Sequence, residues 1–356
     1  MSFLFYPVKV IGDIKTVKIT DEIRWWYPWI DDIRHKSVYL ALSIRWKHDG
    51  SYPDAPPPGY EYYITSGDSL MFGWPEHIIN KIDGQVIHLT GSIMPDSFDT
   101  DRIRYVPYNA IHKMIRGITC STIDKKIQYK VSALTNRVSQ SKAIIFASLM
   151  SMLNEKDRVV SLNHTHNQSD HGVHRWELSG HRVCDHYTDM FKQHWLDKKI
   201  SLPDDDNIDH SYNNSAYQTA ALNFTQESYH YSLMSNGTRS YIEPGPFVTE
   251  KTFKCLLSKT AFVPVGQAYT YQWLEQLGCR FDYGALNLEF DRDPGNLTRL
   301  EKIVALIESL REWSAQDLYE MTLDSTQYNH ELVTSDRFWN TCEQSNVETY
   351  KILTKL

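Results

Sequence analysis

The sequence predicts an α/β protein made of two successive strand-and-helix units, on three observations. Short runs rich in β-branched and aromatic residues alternate with helical stretches through the first third of the chain. A second alternation of the same kind starts near residue 127, and no repeat of fixed period links the two. Beyond residue 299 the apolar residues fall at helical spacing. Strands that alternate with helices imply mostly parallel sheets covered on their faces. The first unit is placed at residues 1–126 and the second at 127–335.

In the first unit, residues 37–46 read as a strand, followed by a Pro-rich loop at 52–59. Residues 60–65 form the next strand and end in Ser66-Gly67-Asp68-Ser69. A helix at 76–82, strands at 85–90 and 102–107, and a helix at 109–116 complete it. In the second unit a strand at 127–134 leads to a helix at 141–150 and a strand at 158–162. The polar, His-rich stretch 163–215 reads as loops with one helix near 185–196. A strand at 216–225 ends in Gln226-Glu227-Ser228. Then come a helix opening on Thr249-Glu250-Lys251-Thr252-Phe253, a strand at 261–265 and helices at 269–277 and 299–310. The rest reads as amphipathic helix.

Composition narrows the function. At 356 residues with 41% hydrophobic content, the chain can bury the cores of two domains. No run approaches the ~18–20 apolar residues of a membrane span. The first ten residues lack the features of a signal peptide, and the five cysteines are scattered without a CxxC pair. Together these predict a cytoplasmic protein with reduced thiols, in a bacterium or a phage-infected host cell. A net charge of −7 argues against a surface coated for nucleic acid, though it leaves room for a local basic groove. There is no GxGxxG, Walker or Gly-x-Ser-x-Gly pattern, so dinucleotide oxidoreduction, NTP hydrolysis and Ser-hydrolase chemistry lose support.

The segments that carry chemistry all fall at predicted strand ends: Gly67-Asp68, Thr135-Asn136-Arg137, Gln226-Glu227 and Thr249-Glu250-Lys251. In open α/β sheets, ligands bind at the carboxyl ends of the strands, where helix N-termini converge. Glu250 at a helix N-terminus can accept hydrogen bonds from sugar hydroxyls. Lys251 and the first-turn N–H groups can hold phosphate oxygens. A carboxylate beside an ammonium therefore suits a nucleotide-sugar. The same residues equally describe an ordinary capped helix, with Thr249 as N-cap and its charges in water.

Three segments in order resemble one family. Lys130-Val-Ser-Ala-Leu-Thr-Asn-Arg137 runs into Ser141-Lys142; Leu222-Asn-Phe-Thr-Gln-Glu-Ser228 follows; then Phe247-Val-Thr-Glu-Lys251 leads to Phe262-Val-Pro-Val-Gly266. Over roughly residues 127–284 this resembles the donor-binding domain of the alpha-1,3-fucosyltransferases and related GT-B glycosyltransferases. The chain also resembles, in general character, phage glycosyltransferases, some of which decorate hydroxymethylated DNA pyrimidines. The resemblance implies the GT-B fold, two Rossmann-like domains facing a central cleft, with a C-terminal helix at 336–356 packing back on the first domain. It implies that Glu250 holds the donor's ribose, that Lys251 and Thr252 lie in the donor site with the phosphates on Lys251, and that Glu227 shapes the nucleotide or sugar pocket. The basic residue after the first strand is Arg137 or Lys142. Gln226-Glu227-Ser228 lacks the Asn that follows the Glu in the family.

Inverting transfer from such a donor, UDP- or GDP-linked, needs positive groups at the departing diphosphate in place of a required metal or cofactor. It also needs a carboxylate to deprotonate the acceptor hydroxyl. Asp68 is the first candidate for that base, with Phe72 and Trp74 nearby to stack an acceptor, and Asp96 is the second. Asp68 also fits a turn residue bonding its own backbone. The acceptor is either a glycan or lipopolysaccharide, or a modified base in DNA, the latter served by Arg45, Lys47, Arg102, Arg104, Lys113 and Arg116. A nucleotide-sugar-binding protein without catalysis is the competing class. The histidines 164, 166, 171, 174, 181 and 186 read as a loop lining the cleft rather than a metal site. Asp291-Arg292-Asp293 matches Asp-x-Asp, but Pro294-Gly295 marks a plain turn.

Overall fold

The computed structural model describes residues 10–42, 55–67, 78, 80–90, 103–107, 125–135, 138–163, 180–202, 215–227, 233–235, 240–242, 246 and 248–355. They divide into two compact units. One comprises residues 1–117, 240–245 and 339–356, the other residues 118–239 and 246–338.

The first unit holds a five-stranded sheet: β1 (Val10–Asp13), β2 (Val38–Leu42), β3 (Tyr62–Gly67), β4 (Gln85–Thr90) and β5 (Ile103–Pro107). The strands lie in the order in which they are made. β1 is antiparallel to β2, and β2 to β5 are parallel. The antiparallel strand and the short helix α1 (Asp21–Trp26), capped by Thr20 accepting from the Ile23 N–H at 3.2 Å, are not evident in the sequence pattern. One sheet face buries Val38, Leu40, Leu42, Ile64, Ile87, Leu89 and Val106 against Tyr27, Trp29, Ile30 and Ile33, and Leu353 joins that core. A strand order that only advances has no point where it reverses, so the crevice rule singles out no ligand site in this sheet.

The second unit holds four parallel strands in the order β11-β8-β6-β7. These are β6 (Tyr129–Thr135), β7 (Arg158–Leu162), β8 (Ala220–Gln226) and β11 (Ala261–Val265). Two short strands, β9 (Leu233–Ser235) and β10 (Ser240–Ile242), lie between β8 and β11 in sequence. The helices are α2 (Gln140–Met152), α3 (Arg182–His194), α4 (Ser215–Thr219), α5 (Glu250–Leu257), α6 (Thr270–Gln276), α7 (Asn296–Ser309), α8 (Ala315–Val333) and α9 (Asp336–Thr354), the last of which ends in the first unit. β8 is buried along its whole length, as a parallel strand covered on both faces must be. Pro264 is tolerated because β11 is an edge strand. Together the two sheets make a Rossmann-like α/β topology.

Residues 216–219, expected as the start of a strand, are instead the helical turn α4, and the strand begins at Ala220. The carbonyls of Gln218 and Thr219 accept from the N–H groups of Lys126 and Gln128 ahead of β6, which fixes where pairing starts. The helix expected at 109–116 lies outside the described residues, and only Ile78 and residues 80–82 are described of the one expected at 76–82.

Candidate functional site

The order β11-β8-β6-β7 has a reversal. The chain leaves β6 toward β7 on one side, then returns past β6 to β8 and continues to β11 on the other. The carboxyl ends of β6 and β8 therefore flank a topological switch point, where open α/β sheets form a crevice. Thr135 ends β6 and Gln226 ends β8. Two helices start beside them in sequence: α2 shortly after β6, and α5 after the segment that follows β8.

The start of α5 is built around Glu227, which is 2% exposed. Its Oε1 accepts from the Thr249 N–H at 3.2 Å and from Thr252 Oγ1 at 2.6 Å, and its Oε2 accepts a short bond from Thr249 Oγ1. Thr249 Oγ1 in turn caps the helix by accepting from the Lys251 N–H at 3.4 Å. A carboxylate from the end of the neighbouring strand thus occupies the positive end of α5. Two N–H groups expected to face a ligand are satisfied within the protein, and Thr252 is fully buried with its hydroxyl on Glu227.

Glu250 and Lys251 stand at the rim. Their side chains are 26% and 29% exposed, and Lys251 Nζ donates to Glu250 Oε1 at 3.0 Å and to Thr249 Oγ1 at 3.1 Å. Burial pushes the Glu250 carboxyl up. The Lys251 charge and hydrogen bond, with the charge of Lys254 one turn on, more than offset this and hold it at about 2. Glu250 is thus an ionised acceptor with a cation beside it, chemistry that can bind vicinal hydroxyls or orient an ammonium.

In α2, the helix that follows β6, Lys142 is buried in the first turn. The N-cap Ser139 makes no side-chain cap bond there. Its Oγ lies 3.1 Å from Ser141 Oγ, while Gln140 Nε2 donates to Thr188 Oγ1 at 3.3 Å. Thr135 Oγ1 donates to Gln226 Oε1 at 2.8 Å, and Gln226 Nε2 has no partner among the described residues. Gln226 carries no motif. Its place next to Glu227 at a strand end is the one signal in the sequence that points to it.

Of the residues expected in the site, the structure brings Glu227, Glu250, Lys251 and Thr252 together at the start of α5 and sets Lys142 in the first turn of α2. Asp68, Phe72, Trp74, Asp96 and Arg137 lie outside the described residues, as do His164, His166, His171 and His174. His181 Nε2 pairs with Glu301 at 3.2 Å, and His186 stacks edgewise on Tyr187. Asp291 and Asp293 serve different helices. Asp291 Oδ2 accepts from the Tyr271 N–H at 3.1 Å at the start of α6, whereas Asp293 bonds the Gly295 N–H, Thr298 and Lys302 at the start of α7. Among the described residues, no cluster of three His, Cys, Asp or Glu side chains is placed to hold a metal ion. No described helix is long and apolar enough to cross a membrane.

No protein-family model, no curated protein and no solved structure matches the chain.

Proposed function

We propose that the chain is a glycosyltransferase of GT-B arrangement, whose second unit binds a nucleotide-sugar at the switch point between β6 and β8. What supports this reading is that an ionised, part-exposed Glu250 beside Lys251, and Lys142 in the first turn of α2, belong to the two helices that follow the strands flanking the switch point. Glu250 accepts from the ribose hydroxyls of the donor. Lys251, Lys142 and Arg137 supply positive charge to its diphosphate. Glu227 and Thr252 act through the helix they fix, and so keep Glu250 in place.

In the reaction, the acceptor hydroxyl oxygen bonds to the anomeric carbon of the sugar and its proton passes to a carboxylate, Asp68 or Asp96. The bond from that carbon to the diphosphate breaks, and the nucleoside diphosphate leaves with the electron pair. Negative charge grows on the departing phosphate, so cations and helix N–H donors arranged beforehand lower the barrier without a required metal. The acceptor is either a hydroxymethylated pyrimidine in DNA or a glycan hydroxyl.

The test is incubation with a panel of UDP- and GDP-sugars, reading donor hydrolysis and binding. The expected result is turnover of at least one donor, lost in Glu250→Ala. If no donor binds or is hydrolysed, the reading fails; binding without hydrolysis under any acceptor leaves a sugar-nucleotide-binding protein. A mass shift on hydroxymethylcytosine DNA, set against plain DNA and an oligosaccharide, decides the acceptor.

A further inference from the structure

Gln226 holds an arrangement that folding alone does not explain. It is 2% exposed at the end of β8, and Thr135 Oγ1 holds its Oε1 at 2.8 Å. In this orientation of the amide, Nε2, with its two N–H donors, is buried and without a partner among the described residues. An unsatisfied buried donor opposes folding, whereas an apolar side chain of the same shape would not.

The face on which this amide lies follows from alternation along the strand. Asn223 and Thr225 share one face of β8, and Glu227, just past its end, continues that side. Thr225 Oγ1 lies 3.2 Å from Cys255 Sγ of α5, and Glu227 holds the start of that helix. Gln226 therefore projects from the opposite face, together with Thr135 of β6. Where α5 has Glu227 at its positive end, α2 presents a first turn that its N-cap side chain leaves uncapped, and Lys142. A carboxylate at one helix start repels an anion. A buried lysine and an amide with unpaired N–H donors attract one.

We propose that Gln226 is a specificity-determining residue whose Nε2 donates, directly or through one water, to an oxygen of the ligand's diphosphate, on the α2 side of the crevice. Glu250 on the α5 side then reads the hydroxyls. The proposal rests on the donor-binding reading above, and it divides the ligand between the two helix starts. Its rival is a structural water on Nε2, which would satisfy the amide with no ligand present.

The experiment measures binding of inorganic pyrophosphate, UDP, GDP and the corresponding nucleosides by calorimetry, alongside thermal unfolding. The full chain is compared with Thr135→Val/Gln226→Met, which removes both partners of the bond, and with Gln226→Glu, which keeps the shape and the Thr135 bond but adds charge. Pyrophosphate and nucleoside diphosphates are expected to bind about tenfold more weakly to the double variant, as for the loss of one charge-assisted hydrogen bond. The loss should be greater in Gln226→Glu, with nucleoside binding unchanged in both and the melting temperature of the double variant unchanged or raised. Unaltered diphosphate affinity in Gln226→Glu overturns the proposal, even where the double variant does not fold. A lowered melting temperature with unaltered affinity assigns the amide to a structural water and overturns it too. If the unmodified chain binds no nucleoside diphosphate at all, the donor reading itself fails, an outcome distinct from both.

Discussion

Thr252 Oγ1 donates to Glu227 Oε1 at 2.6 Å, tying the end of β8 to the first turn of α5 across 25 residues of chain. The same carboxylate holds the N–H and the hydroxyl of Thr249, so three donors depend on one side chain. Glu227→Ala would leave them buried without an acceptor. The expected loss of stability is on the order of 3 kcal/mol, against about 1 kcal/mol for Glu227→Gln, which keeps one acceptor oxygen. Urea unfolding of the two variants reads the difference, and equal losses would show that the bonds do not carry the effect.

Glu250 gives the chain a defined acid response. Its folded pKa of about 2 lies below the usual 4.5, so it contributes stability above about pH 4.5 that is lost as pH falls toward 2. Glu250→Gln removes that contribution to the slope. In Lys251→Ala the burial that opposes ionisation is no longer offset by the neighbouring charge, so the folded pKa rises toward the unfolded value and the acid loss of stability from this carboxylate shrinks. Unfolding curves between pH 2 and 6 test both.

Asp291 works in the opposite sense. Burial pushes its carboxyl up to about 7, opposed by the N–H groups that start α6 and by the Arg299 charge. A raised acid pKa favours the folded state at low pH, so this contribution is full below about pH 4 and lost as pH rises through 7. Asp291→Asn keeps an acceptor for the Tyr271 N–H and cannot ionise. Melting temperatures of that variant should be flatter than those of the unmodified chain from pH 5 to 8.5, with the gain greatest at the alkaline end.

Tyr269 has a left-handed backbone with φ of 68°, and its N–H donates to the Asp291 carbonyl at 2.6 Å. The residue is 40% exposed, so its removal gives up part of its packing while it releases the strain. Glycine adopts this conformation without the steric penalty of a side chain. Tyr269→Gly is expected to raise stability by about 1 kcal/mol at pH 7, read as an increased urea midpoint; a decrease would mean that the ring makes contacts worth more than the strain.

Much of the second sheet was legible because its strands are short apolar runs bounded by turn residues. β7 and β11 fall where the pattern places them, and β6 and β8 agree to within a few residues. The start of α5 was legible as well, because Thr-Glu-Lys after a turn is a capping signature. What local pattern cannot express is pairing at a distance. Nothing around Gln226 says that Thr135 will take one end of its amide and leave the other bare. Nothing around Asp291 says that it will serve a helix that begins some twenty residues earlier, and the same holds for Glu227 and Thr252. The antiparallel β1 and the strictly advancing order of the first sheet are likewise properties of assembly, set by which edges meet.

Leu353 is fully buried in the core of the first sheet, among residues that begin at Val10, and Ile352 packs on the same core. The first sheet is therefore completed by residues that follow the whole of the second sheet in the chain. As the chain emerges from the ribosome, β1 to β5 must wait with one patch of their apolar face uncovered until α9 follows, while the second sheet, its strands lying between residues 129 and 265, already has its full set. A fragment that stops before α9 inherits an open first core, however faithfully it keeps the rest.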